Sequence, residues 1–389
     1  MTKEMMIYDF KPLRMTLDRI GPFQAQPYEI DFTDKQLRPC NIFLMVSQNG
    51  FGKTTILETM AALIGLLDKD EPHEYGQEDL DRGLGRAQLD LLLRVFWQGR
   101  DQTVVLSILA GTLGEEMSLK IWDDQTLAEY GTESWHRLSY RSRVPGRIDK
   151  GKASSELVED LMATIRFGLG RVPDNFAESA EPLPTLLYFS AYRDIPAIRT
   201  HRPVNGTPEQ RSIIQPKHWG YRAVHRFSPH DQEWLGSLDN LLVWLKWLSD
   251  GRFEKARNLI NSRVFRGNEK MLKDVRRDPP EAIIQCGEHS HRLDRLSSGE
   301  KSLCHLFLRI GAHMTRNTIV LIDELEAHLH IRWQHALFKA LKELAAENPS
   351  ITVIATTHSS ELLHTFVNSL DVKEEGIIKG GNLIEIDMR

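Results

Sequence analysis

Cysteine is scarce. The chain has 389 residues and three cysteines, Cys40, Cys286 and Cys304, far apart and in no CxxC pair. That excludes a disulfide framework and a Cys-rich zinc site, and a reducing cytosol is the simplest home. Long apolar runs are also missing. The longest, Met60–Leu67, has eight residues. A membrane-spanning helix needs about 20, so no membrane is expected. The opening MTKEMMIYDFKP carries charge and proline where a signal peptide has an apolar stretch. There is no excess of positive charge. With 49 basic and 54 acidic residues the net charge is −5. A histone-like protein is excluded, although a local basic patch is not. No 20–50-residue repeat and no sustained heptad run is apparent, which excludes a solenoid and a long coiled coil.

What remains is ordinary globular composition, long enough for two or three domains or for one domain with an insertion. LRMTLDRI and the alternating YEIDF read as strands, and NIFLMV as a buried strand. Apolar residues at 56, 57, 60, 63, 64 and 67 predict an amphipathic helix over Thr54–Leu67. Residues 68–81 hold seven acids and one lysine and read as a solvated surface segment. LDLLLRVFW and TVVLSILAG read as strands, Ser154–Gly168 as a helix, and TLLYFSAYR as a strand ending in a loop. Residues 194–232 read as a long loop or mobile insert, and Glu233–Asn261 as one helix. From about residue 281, strand and helix alternate, which predicts a parallel sheet covered by helices.

Ser47-Gln48-Asn49-Gly50-Phe51-Gly52-Lys53-Thr54 fits GxxxxGK[ST] except that Ser47 stands first. Small residues let backbone N–H groups approach phosphate oxygens, and the following helix adds its positive end. Asn49, Gly50, Gly52, Lys53, Thr54 and Thr55 are the expected contacts to ATP. Lys53 would serve the β- and γ-phosphates, Thr54 a Mg²⁺ ion and Thr55 the α-phosphate. TIVLIDE ends a strand on two acids. Asp323 suits the Mg²⁺ site, and Glu324 a water beside the γ-phosphate. ITVIATTHSS ends a strand on His358, which can donate to a γ-phosphate oxygen. LSSGEKSL opens an amphipathic helix, where Ser298, Gly299 and Glu300 offer a second anion site, or simply a helix cap.

This series resembles the ABC-type ATPases. Ser298 lies 25 residues before Asp323, and His358 lies 35 after it. These spacings are similar to those of the family's signature, Walker B and switch-histidine elements. The resemblance covers roughly residues 12–67 and 281–389. Ser297 lies 244 positions after Lys53, far more than the roughly 100 of transporter ATPases. The DELEAHLHIRWQ segment lacks the transporter's proline. The chain resembles the SMC/Rad50/RecF branch, and within it the stand-alone OLD-like ATPases of antiphage systems such as PARIS, Septu and retron-linked modules. With 31 residues after His358, no Toprim-like nuclease is expected.

The resemblance implies an α/β ABC ATPase head with an antiparallel β lobe and a largely helical insertion. Its parts would be 1–67 with the P-loop, 68–280 as lobe continuation and insertion, and 281–389 as the second part of the head. It also implies ATP and Mg²⁺, a homodimer or higher oligomer with composite ATP sites, and a partner effector protein. Glu324 and His358 would be the catalytic residues. The Q-loop position is Gln88 or the Ser190–Arg193 region. The alternatives are a DNA repair or recombination ATPase that binds DNA directly, and an assembly scaffold with little turnover.

Residues 192–227 hold Arg193, Arg199, Arg202, Arg211, Lys217, Arg222 and Arg226 against Asp194 and Glu209, with aromatics interleaved. That composition suits nucleic-acid contact, or a solvated loop whose arginines pair with 68–81. If it is a contact, neutralising Arg199, Arg202 and Arg211 together should flatten the slope of log affinity against log salt by roughly two to three. Absence of DNA or RNA binding at low salt would refute it.

Overall fold

The computed structural model describes residues 5–34, 37–112, 118–144, 147–151, 155–171, 183–195, 213–227, 234–369 and 381–386. Strands β1 (Met6–Asp18), β2 (Tyr28–Asp31) and β3 (Ile42–Val46) precede helix α1 (Lys53–Ile64). Next come α2 (Glu78–Asp81), β4 (Arg86–Trp97), β5 (Arg100–Gly111), α3 (Asp124–Glu129), β6 (Ser134–Val144), β7 (Arg147–Lys150) and α4 (Glu156–Gly168). β8 (Pro184–Phe189), β9 (Val224–Phe227), α5 (Leu238–Leu248), α6 (Arg252–Arg263) and β10 (Lys270–Arg277) follow. The chain continues through β11 (Pro280–Cys286), β12 (His289–His291), α7 (Ser298–His313), β13 (Asn317–Ile322) and α8 (Ile331–Glu347). β14 (Thr352–Thr357), α9 (Ser360–Ser369) and β15 (Gly381–Glu385) complete it. Among the described residues no helix is long and apolar enough to cross a membrane.

The central sheet runs β15-β3-β14-β13-β8-β9, and every neighbouring pair is parallel. Its inner strands are rich in apolar residues because both faces are covered. Every residue of β8, β13 and β14 is buried. Alternate residues face opposite cores. Phe43, Met45, Leu186, Ile319 and Leu321 pack toward α1, α4 and the lobe. Leu44, Leu187, Phe189, Val320 and Ile322 pack toward α5 to α8. The lobe is a second sheet, β2-β1-β4-β5-β6-β7, antiparallel except for β5 beside β6. A small antiparallel sheet, β10-β11-β12, stands apart from both.

Parallel pairing puts the C-terminal ends of β3, β14, β13 and β8 on one edge. Val46 stands opposite Thr357, Ala355 opposite Ile322, and Ile322 opposite Phe189. The loops at 47, 190, 323 and 358 therefore leave the sheet together, where α/β folds bind ligands.

Three expectations change. The 68–81 segment is tied down rather than loosely solvated. Tyr75 is buried, Asp79 accepts from the Gly21 amide at 2.7 Å, and Asp81 accepts from Tyr75 and Gly76. Part of the expected loop over 194–232 is β9, parallel to β8. Its His225 is buried among rings, and its Arg226 donates to the Gly76 carbonyl at 2.7 Å, so polar letters conceal a strand. The expected helix over 233–261 is two. Ser249 (φ 52°) and Gly251 (φ 86°) break it, and Asp250 accepts from the Arg252 amide and Nε.

Candidate nucleotide site

The loop from β3 to α1 folds as its glycines require. Gly52 has φ 87°, and a Cβ there would stand 2.7 Å from Phe23 and Pro22. No side chain caps α1, and no acid lies in its first turn. Its first amides therefore point outward with the positive end of the helix dipole, a ready seat for an anion. Lys53 folds back inside the loop. Its Nζ donates to the Ser47 carbonyl and hydroxyl, both at 2.9 Å, and to Gln48 O at 3.2 Å. Ser47, the one departure from the P-loop pattern, thus supplies two acceptors to the lysine. Burial lowers the Lys53 pKa, opposed by Asp323, Glu324 and Glu326. Asn49 is exposed on the loop, and Thr55 packs against Gly21.

The strand ends supply the rest. Thr54 Oγ1 donates to Asp323 Oδ2 at 2.8 Å, and Thr356 Oγ1 to Asp323 Oδ1 at 2.7 Å. The Glu324 amide donates to Thr356 Oγ1 at 2.7 Å. Glu324 has φ 46°, a left-handed turn right after β13. Its Oε1 lies 3.8 Å from His358 Nε2, and His358 Nδ1 lies 3.3 Å from Lys53 Nζ. Glu326 holds the end of β14, accepting from the His358 amide and, at 2.7 Å, from Thr357 Oγ1. Lys53, Thr54, Asp323, Glu324 and His358 thus form one contiguous site. Thr356 and Glu326 escape sequence reasoning, although a threonine near the end of the largely apolar ITVIAT run is a visible signal.

The start of α7 is more differentiated than expected. Ser297, not Ser298, is the N-cap, in a reciprocal capping box with Glu300. The Glu300 carboxylate also takes Lys270 Nζ at 2.8 and 3.0 Å. Burial works against it, yet Lys270 and the Ser297 donors hold this carboxyl below its usual range. Glu300 thus serves the helix-cap alternative, its carboxylate bonded to Ser297 and Lys270. Ser298 is exposed beside it. Gly299 is required, because a Cβ would meet the Trp333 ring at 2.8 Å.

The two Q-loop candidates separate. Gln88 is buried in the lobe, bonded to Asp90, Leu119 and Lys120, and plays no part at the loop edge. Arg193 lies at that edge, with its guanidinium against the Asp323 and Glu324 carbonyls. Arg193 and Arg226 thus turn inward, while Lys217 and Arg222 face outward. Arg199, Arg202 and Arg211 lie outside the described residues. Trp247 is exposed, its ring tilted against that of Trp244 with centroids 5.0 Å apart.

Residues 173–364 match the family described as AAA domain, putative AbiEii toxin, Type IV TA system. Over 118 residues the chain is 30% identical to the retron Ec83 probable ATPase of Escherichia coli, a stretch covering 28% of this chain and 20% of that relative. The chain thus spans about a fifth of that relative's length. An SMC head bound to the C-winged-helix domain of ScpA has a TM-score of 0.42 at 12% identity, covering 97% of this chain and 94% of that one. The SMC head domain from Thermotoga maritima has a TM-score of 0.38 at 13% identity, over 91% of each chain. An ATP-binding cassette of an ABC transporter has a TM-score of 0.34 at 12% identity, covering 91% of this chain and 84% of that one. The P-loop follows β3, Asp323 and Glu324 follow β13 and His358 follows β14 in this α/β chain, whose residues 173–364 match that AAA family model.

Proposed function

We propose that the protein binds ATP with Mg²⁺ at loop 47–55 and hydrolyses it, using the nucleotide to close two chains on each other and control a partner effector in antiphage defence. The carrying observation is the chain Thr54–Asp323–Thr356–Glu324 beside Lys53, which joins a phosphate loop to a carboxylate able to activate water. Thr54 Oγ1 and Asp323 Oδ2 are hard oxygen ligands 2.8 Å apart. That suits Mg²⁺, which takes one or two protein oxygens and completes its shell with phosphates and water. When bound, the cation neutralises charge on the phosphate oxygens. Lys53 and the α1 amides orient the phosphates, and Glu324 receives the proton of the attacking water. His358 stands within reach of both Lys53 and Glu324. The defence role is supported by the short match to a retron's probable ATPase and by the toxin–antitoxin description of the matching family.

Lys53→Ala tests the reading. Charge-assisted bonds to phosphate contribute about 1.5–3 kcal/mol each, so ATP binding should weaken roughly tenfold or more. Calorimetric titration with ATP and Mg²⁺ measures this. Unchanged affinity would remove the nucleotide assignment, and co-purification of a genetic neighbour would support the effector.

A further inference from the structure

Arg193 follows β8 and is 3% exposed. All five N–H donors of its guanidinium are used. Nη1 donates to Ser190 O at 3.1 Å and to Asp323 O at 2.6 Å. Nη2 donates to Glu324 O at 2.7 Å and to Leu325 O at 3.3 Å. Nε donates to Ser302 Oγ at 3.3 Å. Four acceptors are main-chain carbonyls and the fifth is a hydroxyl on α7. Burial lowers the pKa to about 10, so the group stays charged at neutral pH.

The placement of these acceptors is informative. Three successive carbonyls, 323 to 325, bracket Glu324, whose positive φ is one that side chains other than glycine rarely adopt. Fixing three carbonyl directions fixes that turn, and the turn decides where the Glu324 carboxylate stands. On the other side, Ser302 lies one helical turn from Ser298 and Gly299. A second link from the same loop, Lys301 to Asp194 at 3.6 Å, ties α7 down again. One guanidinium therefore touches both the turn that carries the water-activating carboxylate and the helix whose start faces solvent.

We infer that Arg193 is a positioning residue that couples the seat of α7 to the aim of Glu324, so that a load on the α7 N-terminus is felt at the hydrolytic carboxylate of the same chain. This rests on the reading of Glu324 as the base. Arg193→Lys keeps the charge but offers three donors for five acceptors, without the planar fork. It should lower kcat by about 10²-fold, the scale of a misplaced catalytic group, while ATP affinity stays unchanged. Hydrogen exchange in nucleotide-free protein should speed up in peptides spanning 322–327 and 298–303.

Ser302→Ala keeps all four bonds to the loop and turn, so it remains informative if Arg193→Lys folds poorly. It should lower kcat by less and speed exchange in both peptides. Because both changes act through one bridge, the double variant should match Arg193→Lys alone. Wild-type kcat in Arg193→Lys, losses that multiply in the double variant, or exchange at 322–327 left unmoved in Ser302→Ala would each overturn the coupling. If the wild-type protein itself failed to hydrolyse ATP while exchange rose as expected, the ATPase reading would fall and the clamp would stand.

Discussion

Glu324→Gln should bind ATP as the wild type does and turn it over about 10²–10⁴-fold more slowly, the usual cost of losing a general base. The substitution keeps size and shape and removes the negative charge and with it the capacity to take a proton. Its backbone role survives, since the amide still donates to Thr356 and the carbonyl still accepts from Arg193. The phosphate loop is untouched, because Lys53 bonds to Ser47 and Gln48 rather than to Glu324. Single-turnover hydrolysis alongside a binding titration separates the two steps. Turnover at the wild-type rate would move water activation elsewhere, and His358, 3.8 Å away, becomes the candidate.

Ser298→Arg should abolish hydrolysis while leaving nucleotide binding to a single chain nearly intact. The capping box assigns the helix cap to Ser297 and Glu300, so the exposed Ser298 is not needed to hold α7 together. Its function is therefore expected outside the chain, on nucleotide held by Lys53 of a second copy. Driving an open–closed equilibrium from 1:99 to 99:1 takes about 5.5 kcal/mol, roughly 2.7 from each of two ATP sites. A few charge-assisted hydrogen bonds from Ser298 and Gly299 are of that order, and an arginine in their place blocks the approach. Mixed with Lys53→Ala, the variant regains one competent site per mixed pair. Equal mixing of two inactive proteins should thus restore about an eighth of wild-type activity, because half of randomly paired dimers are mixed, each has one of two sites, and one site's roughly 2.7 kcal/mol closes only about half of them. Normal hydrolysis by Ser298→Arg alone would reduce LSSGE to a helix start.

Much of the site is legible without coordinates because its geometry is local. The glycines at 50 and 52 declare a left-handed loop, the apolar spacing after it declares α1, and two apolar runs ending in IDE and TTH declare buried strands with chemistry at their ends. Alternating strand and helix then implies a parallel sheet, and parallel pairing alone collects those ends on one edge.

Side-chain direction was decided elsewhere. Gln88 and Arg193 are equal Q-loop candidates on paper. They part only because β4 joins the lobe whereas β8 pairs with β13, a long-range choice of neighbour that no local pattern encodes. Glu300 reads as an anion-site residue or a cap until the fold brings Lys270, thirty residues earlier, onto its carboxylate. Arg226 reads as a surface cation until β9 enters the central sheet and turns it toward Gly76. Arg193 needs acceptors more than a hundred residues away, at Ser302 and at 323–325, before its five donors have a purpose. Residue type and spacing set which groups exist and which backbone they can adopt. Burying a charged or polar group requires partners from distant segments, so its role belongs to the packed chain.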